Sequence, residues 1–500
     1  MPGESVPQGL WLPPRTATLV VAASNSSDRG RAQADYVCDG VNDHIEIQAA
    51  LDVLPATGGE VFLLDGTYYI EASLVLSSYQ TLRGCGRNTI LTTTTANLDI
   101  ITATGGAGTE KVGILIADLC VDGAAGGVAN DEGILWTYVD YNKIVNVWSQ
   151  NNKENGIHLD NCDSNNLIGN TCRLNSPGYG IFLGYGGSCH NTIQGNVCQG
   201  NAQDISLYDA DYNTVAGNTC DAPGLYGINL YTSDGNTISD NTCRSKTDNG
   251  IDINTSNNNI VRGNVCYGNR TIGIHIINSD HNIISGNICQ ESSQAADNTY
   301  DNIYVITSDY NLITCNRCRQ GILANQPRYG INIESGTKNI VQGNDLHDAG
   351  KTANFNDAGT CTIVKSDNRE IEITQVKDYA YVKNTSGGDL VAGDVVSHKA
   401  VAAGNEVTTP AAVGEDQVFG MLGENIVNNA YGYVQVGGKT TLLKATNAGG
   451  NIAIGDFLCT EIGNRARLAA AADMAFAISL EDCDAVDQVI DALLIVPRKI

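Results

Sequence analysis

Two residues near the middle of the chain have the types and spacing for acid–base chemistry. Asp252 and His275 occupy equivalent places in a repeated Gly-Ile-x-[Leu/Ile] motif, as Gly250-Ile251-Asp252-Ile253 and Gly273-Ile274-His275-Ile276. If each copy is a short strand that pairs with the next, their backbones lie about 5 Å apart. A carboxylate beside an imidazole is then a general base with its orienter. The same pairing also makes a plain hydrogen bond on a polar sheet. Other copies place Leu135, His158, Phe182, Ser206, Asn229, Tyr304 and Asn332 at x, with Tyr208 and Tyr231 two residues further on in theirs. Flat rings stacked coil over coil suit the faces of sugars. His158, Phe182, Tyr208, Tyr231 and Tyr304 are therefore candidate glycan contacts, and aromatic packing between subunits would use the same tyrosines.

Metal chemistry has weaker support. Asp163, Asp211, Asp234, Asp280 and Asp309 each stand two residues before a repeated Asn. Spaced carboxylates suit Ca²⁺, and Asp at a turn equally satisfies nearby backbone N–H groups. Of the 16 cysteines, Cys172, Cys198, Cys220, Cys243, Cys266, Cys289 and Cys318 recur at one motif position. That reads as a column of reduced, buried thiols. Cys315 and Cys318 form a single CxxC without matching histidines, so no protein-held metal site is predicted and Ca²⁺ is the one cofactor the pattern admits.

The elements that carry these residues follow from the repeat. A second motif, Asn-x-[Ile/Val]-x-Gly-Asn-x-Cys, ends at Asn170, Asn196, Asn218, Asn241, Asn264, Asn287 and Asn316, and with Leu in place of Cys at Asn344. The period is 22–24 residues over most of the array and 28–29 after residue 273. Strands of three to five residues with alternating apolar positions, turn residues after them and no helix between them close into a coil. Coils stack at about 4.8 Å, and Asn repeated at a corner bonds the backbone of its neighbours. The expected fold is all-β, a right-handed parallel β-helix.

Ahead of the array, Ile47, Ala50, Leu51 and Leu54 mark an amphipathic helix with Asp43 at its N-cap, suited to cover the solenoid's open end. The stretch Asp39-Gly40, Asp43, Ile47-Gln48-Ala49-Ala50-Leu51-Asp52, then Gly58-Gly59 and Gly66-Thr67-Tyr68 resembles the entry motif of the pectate-lyase superfamily, which opens many bacteriophage tail spikes and secreted polysaccharide-active enzymes. The resemblance covers residues 35–368 and implies the fold, with a glycan groove on the outward sheet face. The family's lyases use an Arg or Lys base near Ca²⁺-binding carboxylates, its hydrolases clustered Asp, and its alginate epimerases an Asp-Pro-His motif. None of these stands on the outward positions here, so no reaction is assigned.

Domain boundaries are expected at 1–34 (an arm), 35–368 (the β-helix) and 369–500. In the last, Gly387 to Val396 echoes Gly449 to Leu458, which reads as a small β-barrel or sandwich similar to phage decoration and fibre domains. With 29 Lys+Arg against 55 Asp+Glu, the chain carries −26, which repels nucleic acid. No run of about 18 apolar residues predicts a membrane span. Residues 1–19 lack a basic-then-apolar leader, which predicts assembly in a host cytoplasm. The expectation is a virion-surface protein of a tailed phage: a homotrimeric tail spike, fibre or head decoration meeting surface glycans or capsid and tail proteins. A polysaccharide lyase, hydrolase or epimerase is the first alternative. A secreted or cell-surface bacterial glycan-binding repeat protein is the second.

Overall fold

A computed structural model describes residues 18–123, 131–222, 224–360, 362–365 and 368–369 in full, and the backbone of nine strands between 377 and 499. The described residues form a right-handed parallel β-solenoid of about 12 turns. It divides into two compact units. The first comprises Met1–Asn282, Asn287–Asn302 and Gly321–Pro327, the second Ile283–Gly286, Ile303–Gln320 and Arg328–Ile500.

In the first unit, each coil contributes one strand to each of three parallel sheets. The Gly-Ile-x-Leu copies build one sheet, in register from Leu74–Val75 through Ile157–Asp160, Tyr179–Gly184, Gln203–Tyr208, Ile228–Tyr231 and Ile251–Asn254 to Ile274–Ile277. Alternation sends Ile157, Leu159, Ile181, Leu183, Ile251, Ile253, Ile274 and Ile276 into a fully buried core. The x residues between them face outward. The motif's glycine has a steric cause: a Cβ on Gly250 would lie 2.6 Å from the carbonyl oxygen of Gly273 on the next coil.

The two other sheets carry the columns expected from the second motif. Cys172, Cys198, Cys220, Cys243, Cys266 and Cys289 are paired coil to coil and fully buried as free thiols. Inside the corner between the sheets runs an asparagine ladder. Asn241 Nδ2 donates to Val215 O and to Asn264 Oδ1, both at 2.9 Å. Its Oδ1 accepts from the N and Nδ2 of Asn218. The glycine before each ladder Asn turns the chain at positive φ, and Asp240 takes that conformation in its coil at φ +57°.

Where the motif fails, a polar pair enters the core. Asp204 stands in the glycine's place, fully buried. Lys246, also fully buried, reaches from the corner to bond Asp204, with its Nζ 2.8 Å from Ala222 O. Asn201 Nδ2 donates to the other carboxylate oxygen at 2.9 Å. Burial pushes the Asp204 carboxyl up to about 6 against the pull of Lys246.

Helix His44–Asp52 buries Ile47, Ala50 and Leu51 as expected. Gln48 gives it a second task. Its side-chain amide accepts from Val75 N at 2.9 Å and donates to Val75 O at 3.1 Å, pairing the backbone of the edge strand Leu74–Val75. Asp43 does stand at the N-cap, but it makes no cap bond. Its carboxylate serves Gly40 N and Tyr69 N instead, both at 2.8 Å.

The second unit repeats the pattern. Asn316, Asn344 and Asn368 form a ladder, and strands Ile303–Ile306, Tyr329–Ile333 and Ala353–Asp357 pair in parallel. From Lys377 on, the described strands pair mostly antiparallel, as Lys377–Asn384 does with Tyr431–Lys444. The barrel or sandwich expected for 369–500 lies largely outside the described residues, and so do residues 1–17 of the arm expected at 1–34. The rest of that arm is part of the solenoid, because Thr18–Ala22 pairs in parallel with Tyr36–Val37 and Gly59–Leu63.

Two stability outcomes follow. Asn241→Ala strands the donors of Asn218 and the acceptor of Val215, and should cost about 3 kcal/mol in urea unfolding. Lys246→Met alone should cost about 3–5 kcal/mol, because it leaves a buried carboxylate unpaired. The double variant Asp204→Asn/Lys246→Met should recover most of that loss.

Candidate functional site

The register places Asp252 directly beside His275 on the outward face. His275 Nδ1 lies 2.7 Å from Asp252 Oδ1. Asn249, in the turn just before the strand, donates Nδ2 to the same oxygen at 2.8 Å and lies 3.4 Å from His275 Nδ1. Its Oδ1 accepts from Thr271 Oγ1 at 2.6 Å and from Ile272 N at 3.2 Å, which fixes the amide's orientation. These groups sit in an open cleft of about 430 Å³ whose walls include Tyr226, Asp248 and Tyr300. Burial pushes the Tyr226 phenol up to about 12, with the charges of Asp252 and Asp248 adding to it. A carboxylate on Nδ1 holds the tautomer that puts the basic lone pair on Nε2, so the pair has the parts of an oriented general base.

A second pair of the same kind lies on the same sheet. His158 Nδ1 is 2.9 Å from Glu132 Oε1, and Asn155 donates its Nδ2 at 3.0 Å and its N at 2.7 Å to that carboxylate. The cleft here is about 270 Å³ and is walled by Lys153, Glu154, Tyr179 and Tyr185. His158 Nε2 is buried and has no hydrogen-bond partner among the described residues.

Aromatic rings join the two clefts. The His158 and Phe182 ring centroids are 4.8 Å apart, Phe182 and Tyr185 5.4 Å, Tyr185 and Tyr208 6.1 Å, and Tyr208 stacks on Tyr231 at 5.1 Å. Tyr231 pairs in register with Asn254, a wall of the Asp252 cleft. Gly184 makes the Phe182 position available: a Cβ there would meet the phenyl ring at 2.4 Å.

The outward face is thus less open than its sequence suggests. His158, Phe182 and Asp252 are 8%, 4% and 5% exposed and form a floor, whereas Tyr208 and Tyr231, at 42% and 38%, stand above it. Tyr304 belongs to the second unit, where it is half-buried and pairs with Asn332. Glu132, Asn155, Asn249, Tyr179 and Tyr226 were not singled out from the sequence. Their common signal is position, since each immediately precedes the glycine of a Gly-Ile motif.

The turn carboxylates have protein donors. Asp163 accepts from Cys189 N at 2.7 Å, Asp211 from Asp234 N at 2.7 Å, Asp234 from Asn257 N at 2.6 Å and, in the second unit, Asp309 from Thr337 N at 2.7 Å. They tie each coil to the next.

Residues 178–299 match the family model described as periplasmic copper-binding protein (NosD). No curated protein matches the chain. Among solved structures, the chain is similar to the Dettilon tailspike protein (gp208), at 15% identity and a TM-score of 0.58, with 95% of this chain and 93% of that one covered. It is also similar to the Azotobacter vinelandii mannuronan C-5 epimerase AlgE4 A-module, at 18% identity and a TM-score of 0.52, with 65% and 97% covered. At such identities the likeness establishes the fold alone.

A double-mutant cycle on Tyr208→Ala and Tyr231→Ala should give a coupling of about 0.5–1.5 kcal/mol in urea unfolding. Zero coupling would mean that the two rings do not stack in solution.

Proposed function

We propose that this chain is a virion-surface protein of the tail-spike kind that binds a cell-surface polysaccharide along the face between the two clefts. The observation that carries this reading is the continuous run of rings from His158 to Tyr231, ending at each side in a cleft with an oriented imidazole. Stacked rings bind the apolar faces of sugars, and polar groups at both ends accept and donate to hydroxyls. Similarity to a tailspike over nearly the full length of both chains adds to it. On this reading the assembly is a homotrimer, and the Asp-lined turns need no Ca²⁺.

A second reading, chemical modification of the bound glycan, is favoured by the Asp252–His275 geometry. Asp252 would orient His275, and His275 would take a proton from the sugar or from water. In this reading Asp252→Asn abolishes turnover while glycan binding persists.

Copper binding through cysteine does not fit the matched segment, although the description of the matched family carries copper. Five of the six cysteines of the matched segment are fully buried in the core column, and the sixth, Cys189, is half-buried at a turn, where burial raises its thiol above the ordinary range. Hydrogen bonding to Cys172, together with burial, holds the Cys198 thiol well above its ordinary range, whereas a cysteine that ligates copper does so as a reachable thiolate. The one cluster of potential metal ligands among the described residues, Cys38, Asp43 and Glu46, lies outside that segment. The Asp43 carboxylate there is already committed to backbone N–H groups.

The test is binding of the full-length chain to immobilised surface polysaccharides, beside light scattering of the same sample. The expected results are a mass three times that of the chain and retention on at least one glycan. Tyr208→Ala/Tyr231→Ala should weaken retention tenfold or more. Retention that is unchanged in that variant would remove the face as the binding site.

A further inference from the structure

We propose that this face selects an uncharged, hydroxyl-rich oligosaccharide and rejects uronate-bearing ones, with the Glu132–Asn155–His158 cleft as a second anchoring subsite. The inference rests on the glycan-binding reading above and names its ligand class. Three observations lead to it.

The first is the Glu132 carboxylate. It already accepts two hydrogen bonds from Asn155 and faces His158 Nδ1, so it needs no cation from the ligand. The second is His158. Its Nδ1–H donates to Glu132, so Nε2 is left as an acceptor, and that atom is buried without a partner among the described residues. A buried acceptor in want of a donor is satisfied by a sugar hydroxyl, which makes the ligand a hydroxyl donor; the discrimination against uronates rests on charge. The third is charge. Glu132 and Glu154 line one cleft, Asp248 and Asp252 line the other, Asp160 ends the strand that carries His158, and Asp209 follows the strand Gln203–Tyr208 between the clefts. Lys153 is the one cation lining either cleft among the described residues, and it lies 4.0 Å from Asp131. A polyanion laid on this face meets carboxylates with no guanidinium or ammonium row to receive it.

The two clefts also set a length. Five coil steps separate His158 from His275, about 24 Å at the spacing of stacked strands. The ligand is therefore an oligosaccharide stretch that touches both imidazoles, with its middle over Tyr208 and Tyr231.

The experiment is calorimetric titration of the full-length chain with two sets of hexasaccharides. One set is neutral: malto-, cello-, manno- and N-acetylchito-hexaose. The other is acidic: hexagalacturonate and hexamannuronate. At least one neutral probe should bind, with an affinity that is unmoved when salt is raised to about 0.5 M. The uronates should bind tenfold or more weakly. His158→Phe keeps a ring on Phe182 but removes the acceptor, and should weaken the neutral probe about tenfold. Because that change also takes a donor from Glu132 and can unsettle the coil, Asn254→Lys supplies a second readout. A cation placed beside the Asp252 cleft should raise uronate affinity at least tenfold. Uronates that bind as tightly as neutral probes, or a selectivity indifferent to Asn254→Lys, would overturn the inference and leave the glycan face standing. No binding of either set would remove the glycan face itself, and the inference with it.

Discussion

The structure depends on one constraint: each coil must deliver its backbone N–H and C=O groups to the next at the spacing of paired strands, about 4.8 Å. That spacing leaves little tolerance for a side chain inside a corner. Gly250 has no Cβ because the carbonyl of Gly273 lies where the Cβ would go. Asn241 is asparagine because one short side chain must accept from the coil before it and donate to the coil after it. Buried backbone polar groups left without partners are costly, so a ladder of identical residues is the economical solution on every turn. The same geometry exposes an edge at the end of the stack, and the Gln48 amide closes part of it by pairing with Val75.

The constraint also shows what an exception demands. Replacing the motif glycine with Asp204 brings a carboxylate into a dry core. The core answers with Lys246 from two coils away and with Asn201, which together hold that charge. Asp204 and Lys246 are 42 residues apart, so neither substitution is tolerable alone. A buried pair of this sort fixes which coil lies over which, at some cost in stability relative to an apolar fill.

Much of this was legible in the sequence because the period is fixed. The inward Ile and Leu, the cysteine column, the asparagine corners and the adjacency of Asp252 to His275 all follow from counting along the repeat. What could not be counted was the residue before each glycine. That position holds Glu132, Asn155, Tyr179, Gln203, Tyr226, Asn249 and Ile272, with no conserved type from coil to coil. Its role emerges only when the turn aims it at the outward x residue of its own or the neighbouring strand, as Asn249 is aimed at Asp252. The burial of His158 and Phe182 was hidden for a related reason. Alternation marks them as outward, and only the neighbouring rings of Tyr179 and Tyr185 turn an outward position into a floor. Asp43 was placed correctly at the helix start, but the nearby N–H groups of Gly40 and Tyr69 took its carboxylate.

The same rigidity that makes the core uniform lets the outer face differ from coil to coil. Inward residues are nearly interchangeable between turns, while the x residues change from His158 to Phe182, Ser206, Asn229, Asp252 and His275. Because the coil beneath is set by its ladders, each of these side chains is delivered to a fixed point on a lattice with steps of about 4.8 Å. A carboxylate and an imidazole placed on successive turns must then meet, as Asp252 and His275 do at 2.7 Å. A polymer laid along the stack also meets a different chemical group at each step. The fold therefore turns a linear sequence of single substitutions into a linear pattern of contacts, which is what reading an extended polysaccharide requires.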